Sequence, residues 1–115
     1  MAYDLYLADR IKAALQEKKV AFEEKKMMGG LCFMVNDKMC IGIIKNNLMA
    51  RIDPAIYEIQ LQMKDCKIMD FTGRPMIGYV LVAPEAIDME QGLNYWINLC
   101  LDFNPKAKSS KRKKK

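Results

Sequence analysis

Residues 31–52 read LCFMVNDKMCIGIIKNNLMARI. Three short apolar runs, 31–35, 39–44 and 48–52, are separated by Asn36-Asp37-Lys38 and by Lys45-Asn46-Asn47, polar triplets of the composition that hairpin turns use. Runs this short are strands rather than helices, and connections this short join antiparallel neighbours. The stretch therefore predicts a three-stranded antiparallel meander. In its third strand the two-residue period puts Leu48, Ala50 and Ile52 on one face and Met49 and Arg51 on the other. In its hairpin the register decides where two cysteines point. Val35 opposite Lys38 places Cys32 and Cys40 on opposite faces, and Val35 opposite Met39 places them on the same one.

Working outward, residues 3–18 carry Tyr3, Leu7, Ile11, Ala14 and Leu15 at three- and four-residue spacing, which predicts an amphipathic helix. The weak alternation of Val20 and Phe22 predicts a strand over 20–26, and Gly29-Gly30 interrupts it with a turn or bulge. Behind the meander, Asp53 as N-cap and Pro54 at the first helical position open a helix. It carries Ile56, Ile59, Leu61 and Met63 and ends near Lys64-Asp65. Two further strands are expected at 68–71 and 77–82, joined by Thr72-Gly73-Arg74-Pro75. The last helix starts after Asp88, with Gln91 as its capping-box partner, and Pro105 stops it. Leu93, Trp96, Ile97, Leu99, Cys100 and Phe103 form its apolar face.

Strands grouped together and bracketed by helices indicate an α+β fold. The expectation is a two-layer domain over 1–104, with an antiparallel sheet of five or six strands packed against two or three helices. Residues 105–115 are expected to be a disordered basic tail, because Lys, Arg, Ser and Ala bury too little surface to fold.

Charge follows the same division. The chain has 19 basic and 14 acidic residues, but Lys106, Lys108, Lys111, Arg112, Lys113, Lys114 and Lys115 all lie in the tail, so the body is slightly acidic. Only the tail offers nucleic acid a basic surface. No apolar run approaches the ~20 residues that cross a bilayer, and the N-terminus lacks the basic start of a secretory signal. A cytoplasmic location is expected. There the four cysteines, which contain no C-x-x-C pair, should be reduced and free of zinc.

The chain has no histidine, which removes serine–histidine and cysteine–histidine catalysis and any histidine metal site from one subunit. The loop Met27-Met28-Gly29-Gly30 matches neither nucleotide-binding glycine pattern and leads into a strand, so it reads as a structural turn. Arg51 either pairs with a carboxylate, Asp70 or Glu58, or offers an anion site; the pair is the expected role. Arg74 is read as solvated or bonded to nearby carbonyls. The ten methionines read as core filler, with Met34, Met49 and Met63 as examples.

Four segments together resemble the N-terminal domain of TfoX/Sxy-type competence regulators. They are Ala2-Tyr3-Asp4-Leu5-Tyr6-Leu7-Ala8-Asp9-Arg10, Lys26-Met27-Met28-Gly29-Gly30-Leu31-Cys32-Phe33, Leu48-Met49-Ala50-Arg51 and Asp70-Phe71-Thr72-Gly73-Arg74-Pro75-Met76. The likeness spans about residues 1–104, and its departure is Met28, where the family is expected to carry an aromatic residue. It implies a two-layer α+β domain with no catalytic residue and no cofactor. Larger members, associated with transcriptional control of DNA uptake, carry a second helical domain, and this chain reads as the first domain alone. Within the resembling segments, Lys26, Gly29, Gly30, Arg51, Asp70, Gly73 and Arg74 are the candidate interaction or structural site. The expected function is a regulatory or protein-interaction domain with an unidentified protein partner or self-association, not an enzyme. The alternative is weak, non-specific nucleic-acid binding through the tail.

Overall fold

The computed structural model describes residues 4–27, 30–69 and 77–107, apart from the side chain of Met27. The first helix, α1 (Leu5–Glu17), starts where Asp4 caps it: one carboxylate oxygen accepts from the Tyr6 N–H at 2.9 Å and the Leu7 N–H at 3.2 Å. Its buried stripe is Leu7, Ala8, Ile11, Ala14 and Leu15. Strands β1 (Glu23–Met27), β2 (Gly30–Val35), β3 (Lys38–Ile44) and β4 (Asn47–Arg51) follow as an antiparallel meander. Then come helix α2 (Pro54–Leu61), strands β5 (Cys66–Ile68) and β6 (Tyr79–Val82), and helices α3 (Pro84–Ile87) and α4 (Glu90–Phe103). A 3-10 turn, Asn104–Lys106, closes the described chain. The six strands lie in the order β1-β2-β3-β4-β6-β5, all pairs antiparallel. This is the expected α+β domain.

The β2–β3 turn is tighter than the polar triplet suggests. Asn36 and Asp37, with φ of 56° and 64°, form the whole turn, and Lys38 already pairs with Val35. Two positive-φ residues give the turn the twist of the strands it joins. Cys40 is an extra residue in β3, since Met39 pairs with Met34 and Ile41 with Phe33. This bulge breaks the alternation, so that Cys40 and Ile41 both point into the main core.

Several expected boundaries move. The strand predicted from residue 20 begins at Glu23, and Val20 and Phe22 instead pack against the core from the connection before it. Helix α2 stops at Leu61; its buried residues are Tyr57 and Gln60, while Ile59 and Met63 are 63% and 44% exposed. Met63 is thus not core filler. The strand expected at 68–71 is β5, two residues earlier. Residues 70–76, which include the rest of that strand and the Thr72-Gly73-Arg74-Pro75 connection, lie outside the described residues. The capping box is overturned: Asp88 is in the αR conformation at the end of α3, and α4 starts after Met89 without a side-chain cap. Helix α3, a single turn, is too short to leave a periodic signal. Beyond the expected boundary at Asn104, Ala107 is still buried. The residues after it, most of the expected tail, lie outside the described residues.

The core divides across the sheet. One face carries Leu31, Phe33, Val35, Ile41, Ile43, Leu48, Ala50, Val80 and Val82 against the stripes of α1 and α4 and against Tyr57 and Ile87. The opposite face carries a smaller cluster of Cys32, Met34, Met39, Met49 and Met69, flanked by Ile44, Tyr79 and Leu81.

Candidate functional site

Arg51 ends β4 on the same side as Met49, as its alternation with Leu48 and Ala50 requires. Its partners among the described residues are a carbonyl and two aromatic rings. Nη1 donates to the Met39 carbonyl at 3.4 Å, and the guanidinium carbon lies 5.2 Å from the ring centre of Tyr79 and 5.9 Å from that of Phe103. Tyr79 is the cross-strand neighbour of Arg51, so the first ring contact follows from register. Glu58 is exposed on α2, and no carboxylate among the described residues is ion-paired with Arg51. Asp70, the other expected partner, lies outside the described residues. Among the described residues the half-buried guanidinium is therefore held by two aromatic rings and one carbonyl.

The remaining expected site residues do not converge on it. Lys26 is exposed on β1, opposite Leu31. Three strand spacings separate β1 from β4, on the order of 14 Å. Gly30 opens β2 opposite Met27, and its role is close approach: a Cβ there would run into the Ile43 carbonyl oxygen. Gly29, Gly73 and Arg74 lie outside the described residues.

All four cysteines are free and buried. The hairpin takes the register that separates Cys32 from Cys40, with Cys32 in the smaller cluster and Cys40 in the main core. Burial pushes the Cys32 thiol up to about 11, opposed by the Cys40 backbone and, more weakly, by the charges of Lys25 and Arg51. Burial likewise pushes Cys66 up to about 11. Cys100, on α4, is held well above the ordinary thiol range by burial and then by its hydrogen bond with the Cys40 thiol. Protonated thiols are poor nucleophiles.

The grouping that sequence reading missed is the sulfur face itself. Met34 and Met49 were each expected in a core, but not in the same cluster as Cys32, Met39 and Met69. The signal was present: in β2 and β4, every residue alternating with the core face, up to Arg51, is Cys or Met, apart from Gly30 and Asn47, each at the start of its strand.

The family model of the TfoX N-terminal domain matches residues 14–104, from late α1 to the end of α4. The chain belongs to that family. No curated protein and no solved structure matches it.

Proposed function

We propose that this TfoX N-terminal domain is a cytoplasmic regulatory module that works by docking a protein partner and carries out no reaction of its own. The observation that carries this reading is the end position of β5 in the sheet, together with exposed apolar side chains on that strand and on the segment leading into it. That strand ends the sheet, so its outer backbone groups have no strand partner among the described residues. Beside it stand Ile59, Met63 and Ile68, at 63%, 44% and 43% exposed. Ile59 and Met63 are four residues apart on and just past α2, and the Met63 carbonyl accepts from the Cys66 N–H at 3.1 Å, which ties this segment to β5. An exposed edge with apolar flanks is the geometry that strand addition uses. The protonated, buried thiols support the non-catalytic half of the reading. Membrane attachment is not part of it; among the described residues no helix is long and apolar enough to cross a bilayer.

The test is capture of partners from native lysate by the full chain, by an Ile59→Glu/Ile68→Lys variant, and by the full chain after nuclease treatment. Partners lost with the variant and kept after nuclease support docking at β5. Partners lost only after nuclease favour the second reading, nucleic-acid association through the basic tail, for which the concentration of charge over residues 106–115 speaks.

A further inference from the structure

The face of the sheet turned from the helices is lined with sulfur. Cys32 and Met34 come from β2, Met39 from β3, Met49 from β4 and Met69 from just after β5, and each is 9% exposed or less. Cys32 Sγ lies 3.8 Å from Met34 Sδ. The register brings the others to these two. Met34 is opposite Met39, Cys32 is opposite Gly42, and Gly42 is opposite Met49. Gly42 leaves a gap between Cys32 and Met49, and Met49 bends into it: a Cβ on Gly42 would sit 3.0 Å from the Met49 methyl carbon. One thiol and one thioether thus touch over the middle of the sheet, and the Met49 methyl reaches toward the same gap across Gly42.

A core needs only apolar volume here, and Leu or Ile fills volume with better-defined rotamers than Met. What sulfur adds is softness. We propose that this cluster binds a soft monovalent cation, Cu(I), through the Cys32 thiolate and the thioethers of Met34 and Met49, with Met39 beside them. Thiolate and thioether donors select Cu(I) over hard cations. Binding is a ligand exchange without electron transfer: the Cys32 S–H bond breaks, an S–Cu bond forms, and the proton leaves to water. The thiolate and the cation then make a neutral unit, so an apolar site holds no uncompensated charge.

One member of the cluster borders a surface cleft. A surface cleft of about 430 Å³ is lined by Ala21, Phe22, Glu23, Met34, Asn36 and Asp37. Two acidic side chains stand at its wall, and Met34 is the cluster member it reaches. The cysteine spacing that argues against zinc is untouched, because it counts thiols. Among the described residues no group of three or more histidine, cysteine and acidic side chains is placed to hold a metal.

The test uses the full chain, reduced, with its methionine methyls labelled with ¹³C, and Ag(I) as a redox-silent probe. At one equivalent, the Met34 and Met49 methyl signals should move, while those of the exposed Met63 and Met89 should not. Cu(I) competed against a chromogenic chelator should bind one to one. Cys32→Ser and the Met34→Leu/Met49→Leu pair should each weaken it by at least about tenfold, and Cys66→Ser should leave it unchanged. Leu conserves the volume of Met, so the double variant should keep the fold; if it does not, the wild-type methyl spectrum decides alone. Movement confined to exposed methyls, no one-to-one binding against the chelator, or loss of binding in a Cys40→Ser/Cys100→Ser variant with Cys32 intact would each overturn the proposal.

Discussion

Asn104, the residue after α4, donates from Nδ2 to the Val35 carbonyl at 3.1 Å and accepts at Oδ1 from Asn36 Nδ2 at 2.9 Å. Lys38 Nζ adds a bond to the Asn104 carbonyl at 3.0 Å. One buried amide therefore clasps the tip of the β2–β3 hairpin to the end of the last helix. Replacing it leaves the Val35 carbonyl buried and without this donor. Asn104→Ala should cost about 1–3 kcal/mol, read as a lower urea midpoint at unchanged slope. An unchanged midpoint would mean that water replaces the clasp at no cost.

Gly30→Ala should destabilise at least as much. The added methyl meets the Ile43 carbonyl, which is backbone held in the β2–β3 ladder, so relief requires the two strands to part. Overpacking of this kind costs about 1–3 kcal/mol and occasionally more. Thermal unfolding of the variant checks it, and a melting temperature equal to the wild type would count against the close approach.

How much of this was legible beforehand depends on what decides each feature. The meander, the faces of β4 and the stripe of α1 follow from period and short polar turns, and all were readable. The hairpin register was open because Asn36-Asp37-Lys38 fits either length; two positive φ values settle it. Asp88 misled because a one-turn helix before α4 supplies the same acidic residue at a helix end that an N-cap would. Ile59 and Met63 misled because α2 buries only Tyr57 and Gln60 and ends at Leu61, which leaves Ile59 on its exposed side and Met63 beyond its end. Of the candidate site, the strand face of Arg51 was readable and its described contacts were not, since they come from three elements far apart in sequence.

Arg51→Met now carries a different expectation from the one an ion pair would give. Breaking a buried pair costs about 3–5 kcal/mol through the charge left behind. Two ring contacts and one long hydrogen bond are worth about 0.5–2 kcal/mol, and Met retains part of the packing. The variant should therefore lose no more than about 2 kcal/mol in urea. A loss of the larger size would point to a carboxylate partner in residues 70–76.

The thiols give a pH dependence with a definite sign. Burial raises Cys32 and Cys66 from 9.0 to about 11, and holds Cys100 well above 9.0, so the folded state holds protons that the unfolded chain releases. The resulting stability is fully present below pH 9, declines above it and is lost once pH passes through about 11. Urea midpoints should be flat from pH 7 to 8.5 and fall between 9 and 11. A Cys32→Ala/Cys66→Ala variant should flatten part of that fall. At pH 8 a disulfide reagent should label the native chain only at its unfolding rate, and fast labelling of any thiol would contradict the burial argument.

The end of the chain supplies the last prediction, because the sequence places the boundary at Asn104 and the structure carries it further. The Ala107 N–H donates to the Phe103 carbonyl and the Asn104 carbonyl, each at 3.1 Å, and its side chain is 7% exposed. Lys38 Nζ also reaches the Pro105 carbonyl at 3.4 Å, and Lys106 stands 3.9 Å from Asp53. A chain ending at Ala107 should melt with the full-length protein, whereas one ending at Asn104 should melt lower, by the equivalent of about 1–2 kcal/mol. DNA affinity should follow a different rule. Ending at Ala107 removes every tail cation except Lys106, and the body left behind carries no excess of positive charge. Any affinity of the full chain should be independent of sequence, since the tail has no aromatic residue to stack on bases. It should also fall steeply with salt, with a log–log slope of up to about −6 if each tail cation releases one counterion. Both shortened chains should lose it together, although only the shorter one loses stability. Binding retained at two salt concentrations by the chain ending at Ala107 would place the basic surface on the folded body instead.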